Sequence, residues 1–315
     1  MQTLHGTVWT EAEAQRDRPP AMDAHSSMPD LSPAYATSAS EMTPPAGLSD
    51  RVKRLILRGI MDRVRPLAYE RTTDTVRCLT FHYLFPQERE HATRLFAALK
   101  REGDFITTAE LVSLLDGSSR RRGRLFHLSV DDGFENIASE AHPILHEAGI
   151  PYALMVCPAF IEKPADACEA FRRNARYAKP LLLADWATLA ALARENVEIG
   201  AHTLTHREVS KLSEDELDAE IAGCRAAVEA RLPGDCTSFA WPFGRTTAMS
   251  ERALARARAS GYRAIFSSVR GSLQAGEGMP RYLPRHHFEP GWPISTVVYY
   301  ATRAERRFVP PPLAA

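Results

Sequence analysis

Short apolar runs alternate with amphipathic stretches along most of this chain, and that alternation is the first guide to its fold. Val76 to Phe81, Leu125 to Val130, Tyr152 to Val156, Val197 to Ala201, Thr237 to Ala240 and Arg263 to Ser267 read as buried strands, with a last short extended piece over Arg281 to Leu283. Between them lie stretches with helical spacing. Gln87 to Arg101 turns Leu95, Phe96 and Leu99 inward, and Thr108 to Leu115 and Ala138 to Ala148 follow. Asp185 caps a helix reaching Arg194, Ser213 and Glu216 form a capping box for a helix running through Ala230, and Thr247 to Ser260 is a further helix. Strands and helices that alternate every ~25 to 40 residues predict parallel strands joined by helical crossovers, closing into an α/β barrel.

The pattern lapses at both ends. Residues 1–49 are rich in Pro, Ser, Ala, Met and Thr without a period, which predicts a disordered tail. Within 50–74, Val52, Leu55, Ile56, Ile60 and Val64 recur at helical spacing among Arg and Lys; this basic helix either packs on the main domain or lies on an anionic membrane surface through residues 50–65. The catalytic domain is expected over 75–300, with 301–315 as a C-terminal tail. Residues 159–179 interrupt the alternation and read as a lid or rim element.

Two strand ends carry chemistry. The run from Leu125 stops at Asp131-Asp132-Gly133, and a strand's carboxyl end in an α/β fold aims at a ligand site, although Asp-Asp-Gly is also an ordinary turn. The run ending at Ala201 leads into His202 and His206, which at i and i+4 share one face of a helical turn. With one carboxylate they make a two-histidine, one-carboxylate set for a divalent metal that leaves positions open for water and substrate.

Composition narrows the classes. Lys plus Arg and Asp plus Glu both number 39, so no global basic charge argues for nucleic acid. Five scattered Cys without a C-x-x-C argue against a disulfide framework or a cysteine zinc site. With no apolar leader or span in the sequence, a cytoplasmic enzyme is the expectation.

Ser-Val-Asp-Asp-Gly-Phe, Glu-Ile-Gly-Ala-His-Thr-Leu-Thr-His and Phe-Ala-Trp-Pro-Phe-Gly, in that order, resemble the leading motifs of the polysaccharide deacetylase family, carbohydrate esterase family four, over about residues 75 to 290. The resemblance implies a distorted (β/α) barrel and metal-dependent removal of N-acetyl groups from an amino-sugar-containing substrate. It implies Asp131 as general base, with Asp132, His202 and His206 holding the divalent ion, typically Zn2+. Trp241 to Gly244 would wall the groove, with the Phe243 N–H at the oxyanion; Trp241 is equally well placed as core packing. His82 and Tyr83 resemble the end of the first strand in members working on exopolysaccharide or oligosaccharide, and His82, Trp241, Phe243 and Arg285 are the expected substrate contacts. Two departures stand out. Ala240 occupies the position where the family usually has an Arg that tethers the base, and the late Leu-x-His motif is replaced by Pro284-Arg285-His286-His287, leaving His286 or His287 as the general acid. The departures leave open an amidase for a small metabolite, or a glycan-binding barrel with weak catalysis.

Overall fold

The computed structural model describes residues 35–42, 75–161, 165–305 and 307–314 of the 315-residue chain. The basic stretch 50–65 lies outside the described residues. Strands β1 (Thr75–Phe81), β2 (Asp104–Ile106), β3 (Leu125–Val130), β4 (Ala153–Val156), β5 (Glu198–Ala201), β6 (Ser238–Ala240), β7 (Ala264–Phe266), β8 (Leu273–Gln274) and β9 (His286–His287) form one sheet. Its main path runs β7-β6-β5-β4-β3-β1-β8, and only the short β8 pairs antiparallel. The strand and helix alternation read from the sequence is present. Every residue of β1, β3 and β4 is buried, as expected for strands covered on both sides.

The sheet curls until its ends are bridged. Leu283 pairs with Phe266 of β7, its N–H donating to the Ile265 carbonyl at 2.7 Å, and four residues later His287 pairs with Thr80 of β1. The last extended piece therefore pairs at 286–287 and only singly at Leu283, rather than over 281–283. Pro284 lacks an N–H but does not break the extended path, and the chain beyond it reaches the free edge of β1.

Two helices depart from regularity for identifiable reasons. Ile137–Ala141 is a π turn ahead of His142–Glu147. Pro143 cannot donate to the Ser139 carbonyl, and Arg89 Nη1 donates to that oxygen instead at 3.2 Å. In the helix expected from Ser213 to Ala230, the capping box holds, but Asp218–Ala222 is again a π turn.

Both termini differ from the expected loose tails. Residues 35–42 dock against 178–180, with the Ala36 N–H donating to Pro180 O at 2.9 Å and the Ala178 N–H to Met42 O at 3.1 Å. Met42 and Ala36 are buried and Lys179 pairs with Glu41 at 2.8 Å, so 35–42 packs on the domain although the composition of its surroundings read as disordered. The C-terminal stretch is also laid onto the barrel. Phe308 N–H donates to Ser272 O at 2.9 Å and Tyr282 Oη to Pro311 O at 2.6 Å.

Candidate active site

Parallel strands β3, β5 and β6 end on the same side, which brings Asp131, Asp132, His202, His206 and Phe243 to one cavity of about 480 Å³. Asp132 and Gly133 both turn left-handed, with φ of 77° and 74°, and this sends the two adjacent carboxylates to different partners. A Cβ at Gly133 would lie 2.9 Å from Val156 Cγ1, so the turn accepts only glycine without displacement.

Asp131 meets Arg285. Nη1 and Nη2 of the guanidinium donate to Oδ1 and Oδ2 at 2.7 and 2.8 Å, while further bonds reach Ser129 Oγ at 2.9 Å and Ser267 O at 2.8 Å. Burial would raise the Asp131 pKa, but Arg285, followed by His202, holds it below the usual carboxylate value. Arg285 is fully buried with its donors engaged inside the barrel, so it is no substrate contact as expected. An arginine thus holds Asp131 even though Ala240 stands where one was expected, and it reaches Asp131 from β9's side of the ring instead of from β6.

Asp132 meets the two histidines. Its Oδ1 lies 3.5 Å from His202 Nε2 and 3.4 Å from His206 Nε2, and it is buried without a hydrogen-bond partner. Ligands at ~2.0 to 2.1 Å around a tetrahedral zinc stand about 3.3 to 3.4 Å apart, so these separations fit the edges of such a site. His202 Nδ1 donates to the Ala240 carbonyl at 2.7 Å, which presents a bare Nε2 toward Asp132. Burial lowers the His202 pKa to about 4, keeping that ring neutral at pH 7 as a ligand must be. Burial opposes ionisation of Asp132, yet His206, His82 and His202 together hold its carboxyl well below the usual range.

The histidines do not converge through a helical turn. Thr203 and His206 are left-handed, with φ of 61° and 55°, in a loop that Glu220 holds. The Glu220 carboxylate accepts from the Thr205 N–H at 2.9 Å and from the Thr205 hydroxyl, and its backbone carbonyl accepts from the Leu204 N–H at 2.9 Å. Glu220 lies within the second π turn, so that irregularity sits where it orients the two imidazoles. Among the described residues, five of the six non-glycine residues with positive φ line this cavity or the histidine loop, which locates the backbone strain at the site.

Tyr177 was missed by sequence reading. The rim element 159–179 ends by delivering its hydroxyl to Asp132 Oδ2 at 2.5 Å, leaving Oδ1 for the histidines. No local pattern marks that tyrosine; only the path of the helix Ala165–Ala175 brings it there.

The expected acids separate because neighbours in a strand face opposite sides. His286 points away from the cavity, 3.2 Å from both Arg77 Nη1 and Glu305 Oε2, and burial lowers its pKa. It is therefore not positioned to protonate a leaving group. His287 lines the cavity with His82, and both imidazoles meet Glu289, at 2.6 Å from His287 Nε2 and 3.4 Å from His82 Nδ1. Burial pulls the His82 pKa down, but Glu289, Asp132 and Asp131 outweigh it and push it up to about 9. Glu289 is a second residue the sequence did not single out.

Trp241 is fully buried, edge-on to Tyr282 at 5.3 Å, with Nε1 donating to Arg245 O at 3.1 Å. That is core packing, and a ring so enclosed cannot stack on a sugar. Phe243 is only partly buried and stands edge-on to His206 at 5.3 Å, closing one side of the cavity.

Residues 118–265 match the model of the polysaccharide deacetylase family. No curated protein matches the sequence. Among solved structures, the chain is similar to IcaB from Ammonifex degensii, with a TM-score of 0.60 and 18% identity over 73% of this chain and 98% of that one. It is similar to the Streptococcus pyogenes deacetylase PplD in complex with acetate, with a TM-score of 0.59 and 17% identity over 74% and 100% of the two chains. A de-N-acetylase from Aggregatibacter actinomycetemcomitans aligns with a TM-score of 0.60 and 16% identity over 72% and 100%. At these identities the likenesses speak for the fold.

Proposed function

We propose, from the match of residues 118–265 to the polysaccharide deacetylase model and the shared fold, that this chain is a metal-dependent hydrolase that removes N-acetyl groups from an amino-sugar glycan. The observation that carries the reading is the buried Asp131–Arg285 pair standing beside the Asp132, His202 and His206 set in one open cavity. Zinc held by Asp132, His202 and His206 would supply Lewis acidity toward the acetyl carbonyl and toward the attacking water.

The remaining work falls to the chain's own side chains. Asp131 accepts the proton of the attacking water, and Arg285 keeps it ionised and fixed in rotation for that step. Phe243, at a left-handed turn lining the cavity, would offer its N–H to the oxyanion that develops on the acetyl carbonyl. The leaving nitrogen takes its proton from the His82, His287 and Glu289 cluster, in which Glu289 favours the protonated form of His82. Tyr177 and the Ala240 carbonyl hold Asp132 and His202 in place.

Two other readings have less support. A non-sugar amidase rests on the arginine absent at Ala240 and on the rim stretch 159–180; Arg285 fills the first gap by pairing with Asp131, and the rim stretch brings Tyr177 to Asp132. A non-catalytic barrel was suggested by the lack of an acid, for which the cavity offers two histidines. Acetate release from N-acetylglucosamine oligomers of defined length, measured on zinc-loaded chain, tests the proposal. Turnover that disappears in Asp131→Asn and His202→Ala supports it. Zinc-loaded protein that releases no acetate from N-acetylated glycans of any length refutes it.

A further inference from the structure

We propose a second zinc site on the opposite face of the barrel, formed by His142, His146 and Glu195. It stands apart from the cavity and does not depend on the hydrolase reading. His142 and His146 sit at i and i+4 in the segment His142–Glu147, with ring centroids 5.4 Å apart, close to the 5.0 Å between His202 and His206. Glu195 caps the end of the helix Trp186–Arg194 and turns one oxygen, Oε2, to both rings. That oxygen lies 3.0 Å from His142 Nε2 and 3.6 Å from His146 Nδ1, and the three donor atoms fall within 4.8 Å of one another. These separations straddle the edge of about 3.3 to 3.4 Å expected around a tetrahedral zinc with ~2.0 to 2.1 Å bonds.

The arrangement also has an outer partner of the kind a ligating imidazole needs. His142 Nδ1 lies 3.1 Å from Tyr152 Oη and Nε2 is hydrogen-bonded to Glu195 Oε2 at 3.0 Å; an ion would replace the shared proton, with Nδ1–H donating to the tyrosine and Nε2 turned to the metal. His142 is nearly buried and fixed. His146 and Glu195 are exposed, and water can fill the fourth position. Imidazole and carboxylate together select a borderline divalent cation of zinc's kind.

Position tells what such an ion would do. Glu195 precedes β5 and Tyr152 precedes β4, so the cluster lies where the parallel strands begin, whereas Asp131, Asp132 and His202 lie where they end. An ion there would tie the crossover after β3 to the helix before β5 and act on stability rather than on turnover.

The full-length chain, stripped with chelator and returned to zinc chloride, provides the test. Wild type is expected to retain one zinc per chain more than His146→Ala or Glu195→Gln. Its melting temperature should rise by about 4 to 5 °C more than theirs when free zinc is ~100-fold over Kd. Acetate release at saturating zinc should be the same in wild type and His146→Ala. The one-zinc difference should persist in a His202→Ala background, which separates this site from the cavity. Equal zinc content and equal melting shifts in wild type and His146→Ala would overturn the proposal; His146 is exposed, so its removal does not endanger the fold.

Discussion

Replacing Arg285 with methionine should unfold the protein more easily and silence it together, because one guanidinium serves both ends. The side chain has no solvent exposure and its partner Asp131 is 2% exposed, so the substitution strands a carboxylate in the barrel interior. It removes two charge-assisted bonds to Asp131, at 2.7 and 2.8 Å, and leaves Ser129 Oγ and Ser267 O without their donor. Removing one partner of a buried ion pair costs about 3 to 5 kcal/mol. Asp131→Asn strands the opposite charge and should cost a similar amount. The double variant Arg285→Met with Asp131→Asn leaves neither charge behind, so its loss should fall short of the sum by about 2 kcal/mol or more. Urea unfolding of the four proteins measures the cycle, and acetate release should drop by about 10² to 10⁴ in each variant. Arg285→Lys should recover part of the stability and little of the rate, since an ammonium cannot bridge both carboxylate oxygens. Additive stabilities, with only KM altered in Arg285→Met, would mean that Arg285 touches substrate, and the tethering account would be wrong.

Tyr177→Phe should weaken zinc binding at the Asp132 set by about 10- to 100-fold, read by competition with a chromophoric chelator, because Asp132 Oδ2 loses its donor. Glu305, hydrogen-bonded by His286, Arg77 and Arg303, should make the C-terminal stretch acid-sensitive. Burial opposes its ionisation, but those partners lower its pKa from 4.5 to about 2, so it contributes stability above about pH 4.5 that fades as pH falls toward 2. Glu305→Gln should accordingly cost up to about 3 kcal/mol near neutral pH and only about 0.4 kcal/mol at pH 2, as chemical denaturation against pH would show. Gly244→Ala should disturb the Phe243 turn, since φ is 62° there and a Cβ would fall 2.4 Å from Ser268 Cβ and 2.6 Å from Ser268 N. A melting temperature within 1 °C of wild type, on the order of measurement error, would show that the turn relaxes freely.

Much of the architecture was written locally. The short apolar runs bounded by turn residues became strands, although the apolar run Ile294–Thr302 is a helix, and the caps Asp185 and Ser213 act on N–H groups three residues away, so most elements were readable one stretch at a time. Asp131, Asp132 and His202 stand at strand ends and so could be picked out in the same way; His206 lies four residues beyond His202, in a loop with left-handed Thr203 and His206 rather than in the expected helical turn. Contacts that join distant segments were not legible. Arg285 reaches Asp131 only because the sheet curls far enough for Leu283 to pair with β7 and His287 with β1, 154 residues after the carboxylate it holds. The same closure decides that His287 faces the cavity while His286 faces Arg77, an alternation the dipeptide alone could not orient. Tyr177 and Glu220 act through paths that no periodicity encodes, and Met42 is ordered by a surface its own segment does not contain. Sequence determined the elements and the chemistry at their ends, because those depend on neighbours along the chain. The partners that tune that chemistry depend on neighbours across the barrel, and only its closure brings them within a hydrogen bond.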